Sequence, residues 1–210
     1  MCGRYYIAAE DNDEEIARII AILNKDPVAA AQVHHGEIFP SQMAPVIVNT
    51  PEGWTVKAMK WGFPRAGGGG LVINSRSEKA DVTPMFSKAV RERRCLVPMS
   101  GFYEWRRTAN GAKTKEKFAF SLVDSHAMFL AGVYGCFGGG AAAGGYDGFA
   151  ILTQEADEQM RPYHHRMPVI LDNREARHMW LFSPPQISYR DLRACFHTPS
   201  LSIHSVSPAQ

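Results

Sequence analysis

Cys2 directly follows the first methionine in the opening Met1-Cys2-Gly3-Arg4. Its side chain is small enough for an aminopeptidase to clip Met1. The product would carry an amine and a thiol on one residue. Such a 1,2-aminothiol attacks a carbonyl twice: the amine forms an imine with an aldehyde, and the thiol closes onto the imine carbon to give a thiazolidine ring. The same pair can instead perform acyl transfer, with the thiolate as nucleophile and the α-amine as its base. A cysteine that merely follows the start codon is the plainer alternative, and the rest of the chain has to decide.

Further segments carry residues suited to such chemistry. Asn74 opens a polar cluster, Asn74-Ser75-Arg76-Ser77-Glu78, straight after the apolar run Leu71-Val72-Ile73. A cluster in that position projects into a cleft, or else forms a turn on its own backbone. Glu104 lies among aromatics in Gly101-Phe102-Tyr103-Glu104-Trp105. Desolvation there would raise its pKa toward a general acid's range; on the wet face of an alternating strand it would do nothing of the kind. His164, in His164-His165-Arg166-Met167-Pro168, can exchange protons near neutrality. Adjacent histidines point to opposite sides of an extended chain and no cysteine pair is near, so the pattern argues against a metal, as it does at His34-His35. Arg4, Arg76 and Arg166 each fall within two residues of a candidate, and Trp105 neighbours Glu104. Arginine on phosphates with a stacking tryptophan is how single-stranded nucleic acid is gripped with little sequence reading. The run Arg106, Arg107, Lys113, Lys115, Lys117 reads as a solvated hairpin, with DNA contact the lesser alternative.

The elements that must position these residues are short and strand-rich. Ile16, Ile19, Ile20 and Leu23 give residues 13–24 a helical apolar face, capped by Asn12 or Asp13. Gly36 to Pro45 reads as a Pro-punctuated loop. Strands are expected at 46–48 and 54–63 around a Pro51-Glu52-Gly53 turn, and Gly67 to Gly70 as a flexible tip. A helix should start near Thr83-Pro84. Arg94 to Trp105 is one long apolar segment interrupted at Ser100-Gly101, followed by strands at 117–123, 127–137, 149–153 and 168–171, with a glycine-rich loop at 138–145. An Asp172-Asn173-Arg174-Glu175 capping box opens another helix, and a short one lies at 188–195. Mostly sequential strands predict an α+β fold with a β-rich, barrel-like and mainly antiparallel core.

The chain has 210 residues, which suits one domain spanning 1–210, and 45% hydrophobic content, ordinary for a packed globule. No apolar run is long enough to cross a bilayer, and no leader pattern opens the chain, so no membrane is expected as a partner. Cys2, Cys95, Cys136 and Cys195 show no paired spacing, which fits a reducing cytoplasm. A net charge of +2 neither demands nor excludes nucleic acid; any basic patch must be local. No cofactor is called for, and a monomer is expected.

Together the segments resemble the SRAP family of abasic-site-processing proteins. The matching stretches are Met1-Cys2-Gly3-Arg4, Trp61-Gly62-Phe63, Ile73 to Glu78, Arg94 to Pro98 through Gly101 to Trp105, and His164 to Leu171, in family order. The resemblance implies capture of abasic sites in single-stranded DNA through Cys2, and removal of Met1 by the protein itself. It implies Cys2 as nucleophile, Asn74 as its positioning partner, Glu104 and His164 as acid/base groups, and Arg4, Arg76, Trp105 and Arg166 near DNA. Three positions depart from the family pattern: His165 stands where an Asp is usual, Ser75 replaces an Ala, and Gly67 to Gly70 replaces bulkier residues. The last bears on how tightly DNA is gripped. An N-terminal-cysteine amidohydrolase or amidotransferase is the rival enzyme class, and a non-covalent single-stranded DNA-binding module the rival binder.

Overall fold

The computed structural model describes residues 2–8, 13–107, 115–139 and 144–206. Met1, Asn12, Lys113 and the middle of the 138–145 loop lie outside them. The elements are β1 (Tyr5–Ile7), α1 (Glu14–Leu23), α2 (Pro27–Gln32), β2 (Gly36–Ile38), β3 (Met43–Thr50), β4 (Gly53–Trp61), β5 (Phe63–Pro64), β6 (Leu71–Val72), β7 (Asn74–Arg76), a 3-10 turn (Ser77–Lys79), α3 (Ser87–Glu92), β8 (Arg94–Met99), β9 (Gly101–Arg107), β10 (Lys115–Leu122), β11 (Met128–Phe137), β12 (Tyr146–Glu155), β13 (Arg166–Pro168), α4 (Arg174–Phe182), α5 (Tyr189–Arg193) and β14 (Leu201–Val206). The fold is α+β. Strands β11, β8, β3, β4 and β12 follow one another as hydrogen-bonded neighbours, and β12 pairs back onto β11, so the five close into a barrel. Closure removes the sheet edges that would otherwise invite pairing with other chains. A second, five-stranded sheet runs β14-β10-β9-β1-β2. One hydrophobic cluster joins the two sheets.

β12 is the suture. Its first half pairs antiparallel with β11 and, at Gly148 and Phe149, parallel with β4. Its second half pairs antiparallel with β13 and parallel with β7. The segments carrying Asn74 and His164 are thereby held on opposite sides of one strand.

The expected loop 36–45 is instead β2 and the start of β3, and Pro45 sits inside a strand. β3 has β4 on one side over its whole length but meets β8 only at Ile47 and Val48. Pro45 therefore lies where β3 has a single neighbour and its missing N–H is not needed. The apolar stretch 94–105 is two strands in different sheets. The break at Ser100-Gly101 carries the chain from the barrel to the second sheet, with the Ser100 amide donating to Tyr6 O at 2.9 Å and the Ser100 hydroxyl accepting from Ala8 N at 3.0 Å. The helix expected near Thr83-Pro84 begins at Ser87, after turns in which the amides of Phe86 and Ser87 both donate to Thr83 O. Asn173, not Asp172, caps α4, its Oδ1 accepting from Ala176 N at 2.8 Å. Among the described residues no helix is long and apolar enough to cross a membrane.

Candidate active site

The candidate residues meet at the seam between the two sheets. Cys2 precedes β1, and Glu104 lies on β9, the strand beside it. Asn74 opens β7, and His164 stands two residues before β13, both elements docked on β12. The seam is closed by a direct bond: Asn74 Nδ2 donates to Cys2 O at 2.8 Å. That bond engages the backbone of Cys2 rather than its thiol.

Glu104 falls on the inner face of its strand. The register sets Tyr5 opposite Phe102 and Phe118 opposite Glu104, so the carboxylate shares a face with buried aromatics. It is only 5% exposed, which removes the wet-face alternative. Its neighbours Tyr103 and Trp105 point to the opposite face because side chains alternate along a strand.

Cys2 is fully buried. Burial pushes its thiol pKa far up, and the Glu104 carboxylate pushes it further. The group is therefore a neutral thiol near pH 7, not the thiolate that acyl transfer would call for. Burial holds the His164 imidazole below its ordinary pKa, partly offset by the Glu104 charge, which favours its protonated form. Glu104 thus lies close enough to act on both groups. His164 Nδ1 accepts from the Arg166 amide at 2.9 Å. The same nitrogen lies 3.2 Å from Arg166 O, so the Arg166 backbone holds this edge of the ring whichever nitrogen carries the proton. The rings of His164 and His165 stack with centroids 4.3 Å apart. Among the described residues no group of three His, Cys, Asp or Glu side chains gathers as a metal site.

The expected cations occupy different settings. The Arg4 guanidinium lies between aromatic faces, 4.2 Å from the Phe39 ring and 4.8 Å from the Trp105 ring, with Glu37 at 3.3 Å. Lys117 joins this surface, donating to Glu37 at 2.9 Å and lying 3.7 Å over Tyr103. Arg76 is exposed at the end of β7. Arg166 differs from the sequence reading: it is 5% exposed and turned inward. It donates to both Glu78 oxygens at 2.7 and 2.8 Å and to Thr153 O at 2.7 Å. A guanidinium so committed anchors β13, and with it the His164 turn, and has little left for phosphate.

Sequence reasoning missed two residues in the wall of the site. Tyr5 is buried, its hydroxyl has no hydrogen-bond partner among the described residues, and its pKa is raised by burial and then by Cys2. Its ring packs 5.1 Å from Trp61, whose indole N–H donates to Ile73 O at 3.1 Å, next to Asn74. The signal for Tyr5 was its place in the alternation after Arg4. Glu78 was visible only as part of the polar cluster; nothing in sequence joins it to Arg166.

The fold is a β-barrel joined to a second sheet, with Cys2 bonded at the seam to Asn74 and beside a buried Glu104. The family model described as SOS response associated peptidase (SRAP) matches residues 1–209, and the chain belongs to that family. It is 31% identical over 188 residues to the abasic site processing protein YoqW of Bacillus subtilis (strain 168), covering 86% of this chain and 80% of that protein. It is 24% identical to the abasic site processing protein YedK of Escherichia coli (strain K12) over 215 residues, covering 100% of this chain and 93% of that one. A crystal structure of a protein from Bacteroides thetaiotaomicron superposes with a TM-score of 0.78 at 18% identity, over 98% of this chain and 92% of that one, and shows the same fold.

Proposed function

We propose that this protein processes abasic sites in single-stranded DNA by capturing them covalently on Cys2. The observation that carries the reading is the seam itself, where Asn74 holds Cys2 beside a buried Glu104 that acts electrostatically on both Cys2 and His164.

The Cys2 amine is acylated by Met1 in the full chain, so the Met1–Cys2 amide must first be hydrolysed. Self-removal of Met1 fits the family description. The open-chain sugar then offers an aldehyde at C1′. The freed amine adds to it, giving a carbinolamine. Protonation of its hydroxyl expels water and leaves an imine. The Cys2 sulfur adds to the imine carbon, its proton passes to a base, and the former amine nitrogen regains a proton. The sum is aldehyde plus aminothiol giving thiazolidine plus water.

The electrostatics distribute the roles. Glu104 as a carboxylate is the natural acceptor for the thiol proton, since neutralising it removes the repulsion that keeps sulfur protonated. In the earlier step a protonated Glu104 can give its proton to the leaving hydroxyl, which leaves it as the carboxylate that then takes the thiol proton. His164, held by the Arg166 backbone through Nδ1, presents its Nε2 edge to exchange a hydrogen bond with the sugar or the departing oxygen. Fixing the aldehyde against the aminothiol converts a bimolecular reaction into an internal one. Arg4, Trp105, Lys117 and Arg76 supply a phosphate-tracking and stacking surface beside the cleft; Arg166 contributes by anchoring.

The test is incubation with an abasic single-stranded oligonucleotide followed by a denaturing gel. A shifted, heat-stable band that Cys2→Ala abolishes is expected. Retention of DNA binding with no covalent band in the wild type would instead favour a binding module, and amide hydrolysis lost in Cys2→Ala would favour the amidohydrolase class.

A further inference from the structure

On the outer surface of the barrel, a cavity of about 600 Å³ lies between α1 and α4. None of the seam residues Cys2, Asn74, Glu104 and His164 lines it. Leu96 of β8 lines it, whereas the neighbouring Cys95 and Val97 both face Gly132 on the other side of the strand. Its volume is within the usual range for a ligand pocket. The floor is Ile47, Leu96 and Phe129, an apolar recess. The rim is cationic. Arg18 of α1 and Arg174 and Arg177 of α4 surround the recess, and Glu15 is the one carboxylate among the lining residues.

How the arginines are held decides what can enter. Arg18 lies 5.3 Å over the exposed ring of Trp54, and Arg177 lies 4.5 Å over Phe129. A guanidinium stacked on an aromatic face keeps its N–H edge free for a carboxylate in its own plane. Glu15 engages Arg177 at 2.9 Å, while Arg18 and Arg174 have no ion pair among the described residues. The cavity thus joins an apolar recess to two uncompensated guanidinium groups.

We propose that this cavity is a docking site for a short acidic peptide segment of another protein, with an apolar anchor residue filling the recess and flanking carboxylates meeting Arg18 and Arg174. An apolar side chain beside carboxylates is the chemistry that satisfies floor and rim together. The cavity shares no lining residue with the Cys2 seam.

The experiment titrates a fluorescently labelled peptide, Asp-Asp-Glu-Asp-Leu-Phe with a free C-terminus, and reads anisotropy. Saturable binding to the wild type is expected. Arg18→Glu/Arg174→Glu, both exposed positions, should weaken it at least about tenfold with unchanged thermal unfolding, the loss of roughly one good charge pair. Trp54→Ala, which removes the platform under Arg18, should weaken it too. A peptide with Ser-Ser in place of Leu-Phe should bind no better than background. Absence of saturable binding, equal binding by the double variant, or displacement of the peptide by an abasic-free oligothymidylate would each overturn the proposal, the last in favour of nucleic acid.

Discussion

At the residue scale, the site turns on one proton. The Cys2 thiol is held neutral by burial and by Glu104, so ring closure needs a base within reach. Glu104→Gln keeps the shape but cannot take the proton, and single-turnover crosslinking at saturating DNA should slow about 10²-fold, the usual scale for one acid/base group. The rate of that variant should climb with pH past the ordinary thiol range, because hydroxide must replace the carboxylate. The thiol also sets a stability trend. A group whose folded pKa is raised stabilises fully below its unfolded value, and that contribution is lost as pH rises. The protein should therefore lose thermal stability above about pH 9, and Cys2→Ala should flatten that decline. An unchanged alkaline slope in the variant would show that the thiol is not the buried group described. His164 runs the other way: its folded pKa is depressed, so its contribution is present above pH 6.5 and lost as pH falls through the folded value. Crosslinking should accordingly persist below pH 6.5 and drop only when the ring finally charges. Which residue types could do this chemistry was legible in Cys2, Asn74, Glu104 and His164. The protonation states were not, because desolvation depends on what packs around a group rather than on its sequence neighbours.

At the element scale, helical periodicity and cap signals found α1, and of the two caps they offered Asp13 is the one used, its side chain accepting from Glu15 N and Ile16 N. They did not find β2 or β14, because three- and six-residue strands at a sheet margin carry too few buried positions to show a period. They could not reveal that Arg166 points inward, since its partner Glu78 is joined to it only through β12. That pairing makes a sharp expectation. Glu78→Ala leaves the Arg166 guanidinium buried without its carboxylate, and unfolding in urea should show a loss of about 3 kcal/mol. Crosslinking should also suffer, through the turn that carries His164. Gly62, between β4 and β5, has φ +132°, and a Cβ there would lie 2.7 Å from Leu71 Cβ. Gly62→Ala should cost about 1–3 kcal/mol by the same measurement, because both backbone and packing object.

At the scale of the whole molecule, a net charge of +2 conceals a local arrangement, with Arg4 and Lys117 on one aromatic-lined face and Arg76 exposed on β7. If three cations meet phosphates, single-strand affinity should fall roughly twentyfold between 50 and 200 mM salt. Reversing Arg4 to Glu should flatten that dependence, whereas Arg166→Lys should leave it unchanged; equal slopes for Arg4→Glu and wild type would remove Arg4 from the interface. The suture made by β12 has a consequence in time. Neither the barrel nor the seam can exist until the ribosome has passed residues 146–155 and then His164. At roughly 5–20 residues per second, the nascent chain spends several seconds with β4 unpaired on its far side. During that interval β9 with Glu104 is already made, whereas the histidine is not. On the proposed mechanism, the chemistry of Cys2 is complete only when the last third of the chain arrives.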